Sequence, residues 1–197
     1  MDGFVRLFAE IIEKEGVPVD CIHLEQTTLP GYYRPEKDWD LVVVIDGMLA
    51  ATIEFKSHIG PSFGNNFNNR VEEALGSATD LNTAYREGAF RPSTRPWLGY
   101  MILLEEHPKS LAPVRVREPH FPVFPEFKKS SYAERYELFC TRLVRERLYN
   151  AACLLLSSSG GGKQGEYREP SPELSFLNLV TSLQGRLLEV LRQRKLK

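Results

Sequence analysis

The chain is expected to fold as a mixed α/β protein, with one central sheet and helices on its faces. Three observations predict this class. The strongest is a hairpin signal: residues 39–45 (WDLVVVI) and 48–56 (MLAATIEFK) flank Asp46-Gly47, a dipeptide that favours a tight turn between strands. The second is a pair of short apolar runs, WLGYMILL at 97–104 and AACLLLS at 151–157, of the kind found in strands buried on both faces. The third is the helical pattern that separates these strands, which supplies the crossover a parallel pair needs.

Taken in order, Phe4, Leu7, Phe8, Ile11 and Ile12 repeat at helical spacing, and Gly16 with Pro18 ends that helix. Residues 17–36 are mixed, with a turn at Pro30-Gly31. After the hairpin, GPSFGNNFNNR at 60–70 reads as an irregular loop. A helix then carries Val71, Ala74, Leu75, Ala78 and Leu81 on one face and fades near Gly88. Five prolines between 107 and 129 predict an extended arm. Ser131 with Glu134 forms a capping box for a helix reaching about Tyr149. A Gly-rich segment at 157–172 reads as a flexible loop, and Ser171-Pro172-Glu173 opens a last helix. With no internal repeat or separating linker, residues 1–197 are read as a single domain.

Bulk properties exclude several classes. The apolar runs are too short to cross a bilayer, and the N-terminus lacks the form of a signal peptide. Three scattered cysteines argue against a disulfide framework or zinc site and for a reducing, cytoplasmic setting. The net charge of −1 hides an asymmetry. Residues 1–127 hold 12 Lys/Arg against 19 Asp/Glu, and residues 128–197 hold 13 against 7. An acidic metal-binding part and a basic phosphate-facing part would produce this split, and so would ordinary solvated helices.

The hairpin carries the chemistry. Phosphodiester hydrolysis needs an in-line water, charge compensation at phosphorus and help for the leaving oxygen; carboxylate-held divalent cations supply these, with a lysine to orient or deprotonate the water. Asp40 lies on the first strand, and Glu54-Phe55-Lys56 ends the second, with Glu54 and Lys56 on one face. A two-residue turn would pair Asp40 with Ile53 and send Glu54 to the opposite face. A three-residue turn, Ile45-Asp46-Gly47, would pair Val44 with Met48 and Asp40 with Thr52, bringing Asp40 to the face of Glu54 and Lys56. The bulged three-residue register is therefore expected. Asp40 and Glu54 are the expected metal carboxylates, with the Phe55 carbonyl as a further oxygen. Glu10, Glu13 and Glu25 are other acids that a second cation could use, and Asp38 is the rival to Asp40. The competing view treats all of these as edge residues of a solvated hairpin.

The stretch DWDLVVVIDGMLAATIEFKSHIGPSFGNNFNNRVEEALGSATDLNTAYREG, and above all EFKSHIGPSFGNNFNNRVEEALG, resembles the XhoI family of type II restriction endonucleases. The resemblance extends over most of the chain. It implies a restriction-endonuclease-like fold and a homodimer that cuts double-stranded DNA at the palindrome CTCGAG, leaving 5′ overhangs. It also implies magnesium as cofactor and a cognate methyltransferase acting on the same site. Asp40, Glu54 and Lys56 take the places of the PD-(D/E)xK motif; Trp39, not proline, precedes Asp40. One helix before the hairpin is short for the family.

A palindromic target suits a twofold dimer, read by Arg or Lys against guanine and Asn or Gln against adenine. Asn65, Asn66, Asn68, Asn69 and Arg70 follow the active-site strand and are expected at DNA, although a loop held by its own Asx turns, with Asn69 as helix cap, would use the same residues. Arg115, Arg117 and His120 on the arm, and Lys163, Gln164 and Arg168 in the Gly-rich loop, are further candidates that a solvated surface would also explain. Arg142, Arg145 and Arg147 are assigned to pairing with acids or phosphate, and His58 to a structural hydrogen bond. The alternatives are a nuclease that cuts by DNA shape, of resolvase or repair type, and a non-catalytic DNA-binding protein on the same fold. No nucleophile elbow or Cys-His arrangement supports a Ser or Cys hydrolase.

Overall fold

The computed structural model describes residues 1–195, apart from the side chains of Lys163 and Lys195. Helix α1 (Asp2–Lys14) buries Phe8 and Ile12, one turn apart on its apolar face. Gly16 follows at φ 91°, a left-handed conformation suited to glycine after a helix end. Then come β1 (Ile22–His23), β2 (Thr28–Pro30) and β3 (Glu36–Asp38), of which β2 and β3 pair in a separate two-stranded antiparallel sheet. The hairpin strands β4 (Leu41–Ile45) and β5 (Met48–His58) turn at Asp46 and Gly47, both at positive φ, as a type I′ turn requires.

The hairpin register corrects the expectation. Ile45 pairs with Met48 and Val44 with Leu49, so the turn has two residues, not three. The register then shifts: Val43 pairs with Ala51 and Leu41 with Ile53. Ala50 is the extra residue of a β-bulge, and Ala50 and Ala51 both join the same side of the core. The shift carries Asp40 opposite Glu54 rather than Thr52. Its parity is the expected one, reached by a bulge inside β5 instead of at the turn.

The crossover helix α2 (Phe63–Arg86) leads to β6 (Trp97–Glu105), and the short helix α3 (Pro108–Leu111) follows it. Next come α4 (Tyr132–Arg145), β7 (Ala151–Ser157) and α5 (Phe176–Lys195). The sheet order is β1-β4-β5-β6-β7, with β5, β6 and β7 mutually parallel and β1, β4 and β5 antiparallel. This is the expected mixed sheet, a restriction-endonuclease-like arrangement. Alternation along the strands sorts the core into two layers. Val42, Tyr100, Ile102, Leu154 and Leu156 pack with α2 and α4 on one face; Leu41, Ile53, Phe55, Met101 and Leu155 pack with α1 and α5 on the other.

Three further expectations change. The segment 63–70 is the first two turns of α2 and not a loop, and its N-cap is Ser62 rather than Asn69. Phe63 and Phe67 are spaced by four and bury against Tyr132 and Tyr136 of α4. Burial of large apolar side chains, about 1.5–3 kcal/mol each, outweighs the few tenths per residue by which asparagine disfavours a helix. The 157–172 segment is held in place: Leu156 and Arg168 exchange backbone hydrogen bonds at 2.8 and 2.9 Å, and Arg168 binds Glu106 through two guanidinium nitrogens. Pro172–Leu174 is a 3-10 turn, and the last helix begins at Phe176, where the Ser175 hydroxyl accepts the Asn178 amide at 3.2 Å. The Ser131–Glu134 capping box forms as expected. Among the described residues no helix is long and apolar enough to cross a membrane.

The bulge is fixed from behind. Arg186 of α5, its side chain 10% exposed, donates to the Ala50 carbonyl at 3.1 Å and to the Thr94 hydroxyl at 2.8 Å.

Candidate active site

Because β5, β6 and β7 run parallel, their carboxyl ends share one edge of the sheet. The N-terminus of α2, the 107–129 arm and the 157–172 segment all emerge there, and antiparallel β4 begins there with Asp40 just before it. The bulge sets Glu54 on the α2/α4 face, opposite Tyr100 on β6.

Glu54 is 2% exposed and is the best-compensated acid of the group. Its Oε1 forms an ion pair with Lys56 Nζ at 2.8 Å and accepts a hydrogen bond from Lys37 Nζ at 3.3 Å. Its Oε2 accepts from the Tyr149 hydroxyl at 3.4 Å, and that hydroxyl also lies 3.2 Å from the Ala74 carbonyl of α2. A buried carboxylate without such partners would be costly. Burial first, and the Glu54 charge second, push the Tyr149 hydroxyl pKa well above its ordinary value, so it stays a donor. Asp40 Oδ2 accepts the Phe55 amide at 2.7 Å. The N–H and C=O of a strand residue point the same way, so the Phe55 carbonyl leaves β5 on the Asp40 side.

Three site residues were missed by sequence reasoning. Lys37 arrives from β3, donates also to the Asp38 carbonyl at 3.0 Å, and lies 4.3 Å from the Trp39 ring centroid. Its place on β3, in a separate two-stranded sheet, gave no hint in the sequence that it reaches β5. Glu73 approaches Lys56 at 4.0 Å while pairing with Arg70 at 2.5 Å. Tyr149 comes from the segment between α4 and β7. The one sequence signal for any of them is the i,i+3 spacing of Arg70 and Glu73, which a loop over 60–70 conceals.

Of the other acids, Glu10 and Glu13 are exposed on α1, on the opposite face of the sheet, and Glu25 is exposed as well. Asp38 is taken by the Thr28 hydroxyl across the β2–β3 pair. Among the described residues no group of three His, Cys, Asp or Glu side chains assembles as a cation site. Asp40, Glu54 and the Phe55 carbonyl are candidate oxygen donors at the centre, with the Glu73 carboxylate nearby on the far side of Lys56.

The model of the family described as restriction endonuclease XhoI matches residues 1–169. The chain belongs to the XhoI restriction endonuclease family. Its relatives are site-specific DNA-cleaving enzymes by name. It is 52% identical over 189 residues to the type II restriction enzyme BstVI of Geobacillus stearothermophilus, covering 93% of this chain and 84% of that one. It is 50% identical over 147 residues to the type II restriction enzyme XhoI of Xanthomonas vasicola, covering 73% of this chain and 59% of that one. It is 54% identical over 123 residues to AbrI of Azospirillum brasilense, covering 61% and 55%. No solved structure matches the chain significantly.

In this member of the XhoI family, Asn65, Asn68 and Asn69 are exposed on the first turns of α2, with Asn66 and Arg70 half-buried beside them. Seven residues separate Asn66 from Glu73, about 10 Å along the helix. Arg115, Arg117, His120 and Gln164 are exposed, and the Lys163 side chain lies outside the described residues. Arg168 is committed to Glu106, Arg142 to Glu126 and Arg145 to Glu173. His58, 1% exposed, is 2.6 Å from the Tyr136 hydroxyl through Nδ1, the structural bond expected of it. Burial first, then the Arg70 charge, hold its pKa below the ordinary histidine value.

Proposed function

We propose that this chain is a magnesium-dependent type II restriction endonuclease that hydrolyses duplex DNA at CTCGAG and leaves 5′ overhangs, as a homodimeric, cytoplasmic enzyme with a cognate methyltransferase. On this reading residues 1–197 are one nuclease domain. The observation that carries it is the convergence of Asp40, Glu54 and Lys56 at one sheet edge in a chain of this family.

The donor set suits a hard divalent cation: two carboxylates and one carbonyl, all oxygen. Asp40, Glu54 and the Phe55 carbonyl would hold it. When bound there it supplies charge compensation at the phosphate and a more acidic water. The chain's own groups do the rest. The Phe55 amide fixes one Asp40 oxygen, leaving the other to bind. Tyr149 and Lys56 fix the two oxygens of Glu54. Lys56, 22% exposed, has access to solvent and as an ammonium orients the attacking water.

The face presented to DNA is the carboxyl edge. Asn65, Asn66, Asn68, Asn69 and Arg70 on α2, Arg115 and Arg117 on the arm, and Lys163 and Gln164 in the following segment are the proposed contacts. A helix N-terminus is a good place for phosphate, and exposed asparagines there suit adenine.

The test is digestion of unmethylated plasmid by purified protein in magnesium and in EDTA, followed by sequencing of the ends. Discrete, metal-dependent ends at CTCGAG are expected. Ends without fixed sequence would refute the specificity, and no cleavage would refute the enzyme reading.

A further inference from the structure

We propose that Lys37 is a second active-site lysine, whose role is to make cation loading at Glu54 depend on the arrival of DNA. The inference rests on the nuclease reading above and adds a residue and a control to it.

Two ammonium groups share one oxygen, Glu54 Oε1, and they differ in kind. Lys56 belongs to the central strand β5, makes the shorter contact at 2.8 Å, and also approaches Glu73. Lys37 makes the longer contact at 3.3 Å from a different sheet, the β2–β3 pair. Its other partners, the Trp39 ring and the Asp38 carbonyl, belong to its own segment and can steady the ammonium in more than one position. Its side chain is 15% exposed, enough to meet an incoming phosphate.

Formal charge decides the consequence. Asp40 and Glu54 balance Lys37 and Lys56, and Arg70 balances Glu73. A divalent cation at Asp40 and Glu54 would add two positive charges beside both lysines and compete with Lys37 for the lone pairs of Oε1. One DNA phosphate returns a negative charge and offers Lys37 a new acceptor. The phosphate thus draws Lys37 off Glu54 and opens the oxygen to the cation. DNA and cation then favour each other's binding by the same factor. Lys37 is a positioning residue for Glu54 before DNA arrives and a phosphate contact after it.

The hairpin that brings Lys37 is firmly mounted. Asp80 of α2 accepts the amides of Tyr32 and Tyr33 at 2.6 and 2.8 Å and Arg34 Nε at 2.8 Å, which pins the turn between β2 and β3. Delivery of Lys37 to Glu54 therefore follows from the fold rather than from an accident of a long side chain.

The experiment is calcium titration by calorimetry of the full chain, free and bound to a short CTCGAG duplex, for the unmodified protein, Lys37→Met, Lys37→Arg and Asp40→Asn. Asp40→Asn identifies the heat that belongs to this centre. Removing a unit charge about 5 Å from a divalent ion in a wet site changes affinity by about tenfold. Lys37→Met is therefore expected to bind calcium about tenfold more tightly without DNA and to lose most of the gain that DNA gives. Lys37→Arg keeps the charge and the coupling. A folded Lys37→Met with unchanged calcium affinity in the absence of DNA would overturn the role of Lys37. If the unmodified protein still cuts in magnesium, the nuclease reading survives that result. Absence of any Asp40-dependent calcium binding in all variants, with or without DNA, would sink both.

Discussion

Replacing Asp80 tests whether the turn beside the active site is held as described. Asp80 is 4% exposed and accepts three hydrogen bonds, from the Tyr32 and Tyr33 amides and from Arg34. Asp80→Ala removes the acceptor for all three. Arg34 is 43% exposed, so its guanidinium returns to water and the ion pair counts for little. The two amide bonds to a charged acceptor contribute about 1.5–3 kcal/mol each at most, reduced by water reaching a surface turn. The expected loss is roughly 2–4 kcal/mol, and about half of that for Asp80→Asn, which keeps an oxygen but no charge. The pH dependence gives a second check. Burial pushes the Asp80 carboxyl up, but the Tyr33 and Tyr32 amides and Arg34 outweigh it and hold the pKa below the usual carboxylate value. A depressed folded pKa means that the stabilisation is complete above the unfolded value of about 3.9 and fades as pH falls through the lower folded value. Urea unfolding at pH 7 and in steps below pH 4 should show the gap between native and Asp80→Asn narrowing with acid. A gap below about 0.5 kcal/mol for Asp80→Ala at pH 7, or one that does not narrow, would refute the anchoring argument.

Asp40→Asn and Glu54→Gln should each abolish cleavage in magnesium while leaving duplex binding in calcium, measured by gel shift, largely intact; full cutting by either removes that residue from the site. Lys56→Met should lose cleavage by at least about a hundredfold, and a near-normal single-turnover rate would make the lysine dispensable. His58 is neutral in the fold, so its contribution is present above about pH 6.5 and declines as pH falls through its lower folded value. Between pH 7.5 and 5.5 the native protein should lose stability that His58→Gln keeps, read by urea midpoints; equal losses would refute this. Deleting Ala50 removes the bulge but leaves Val43 opposite Ala51 and Glu54 on the α2/α4 face, so the variant should still cut in magnesium; loss of cleavage with a cooperative urea transition retained would disprove the assigned register.

The sheet was legible because its strands announce themselves: Asp46-Gly47 has the chemistry of a tight turn, and the 97–104 and 151–157 runs are too apolar to lie anywhere but inside. The position of the bulge was not legible. Nothing in Met48-Leu49-Ala50-Ala51 marks Ala50 as the extra residue, and Arg186, which donates to its carbonyl, lies far along the chain. The start of α2 was hidden for a related reason. The asparagines and Gly64 argue locally for a loop, while Phe63 and Phe67 have value only once α4 stands opposite. At the site, Asp40, Glu54 and Lys56 could be named from spacing, and they share a face despite the two-residue turn because the bulge at Ala50 supplies the same one-residue offset. Lys37, Glu73 and Tyr149 could not, because each reaches the centre from a different element.

The arginine behind the bulge gives the C-terminal helix a part in the chemistry it never touches. The family match ends at residue 169, and Arg186 lies beyond it, on the face of the sheet away from Glu54. Yet by holding the Ala50 carbonyl it braces the bulge that sets Glu54 opposite Asp40, just before β4. A single outlying side chain thus acts as a frame-keeper for the whole strand. Release of that grip would leave the bulge held by the burial pattern of β5 alone, with Leu49 on one face and Ile53 and Phe55 on the other. Truncations and fusions at this end of the chain bear on how firmly the bulge beneath the site is held.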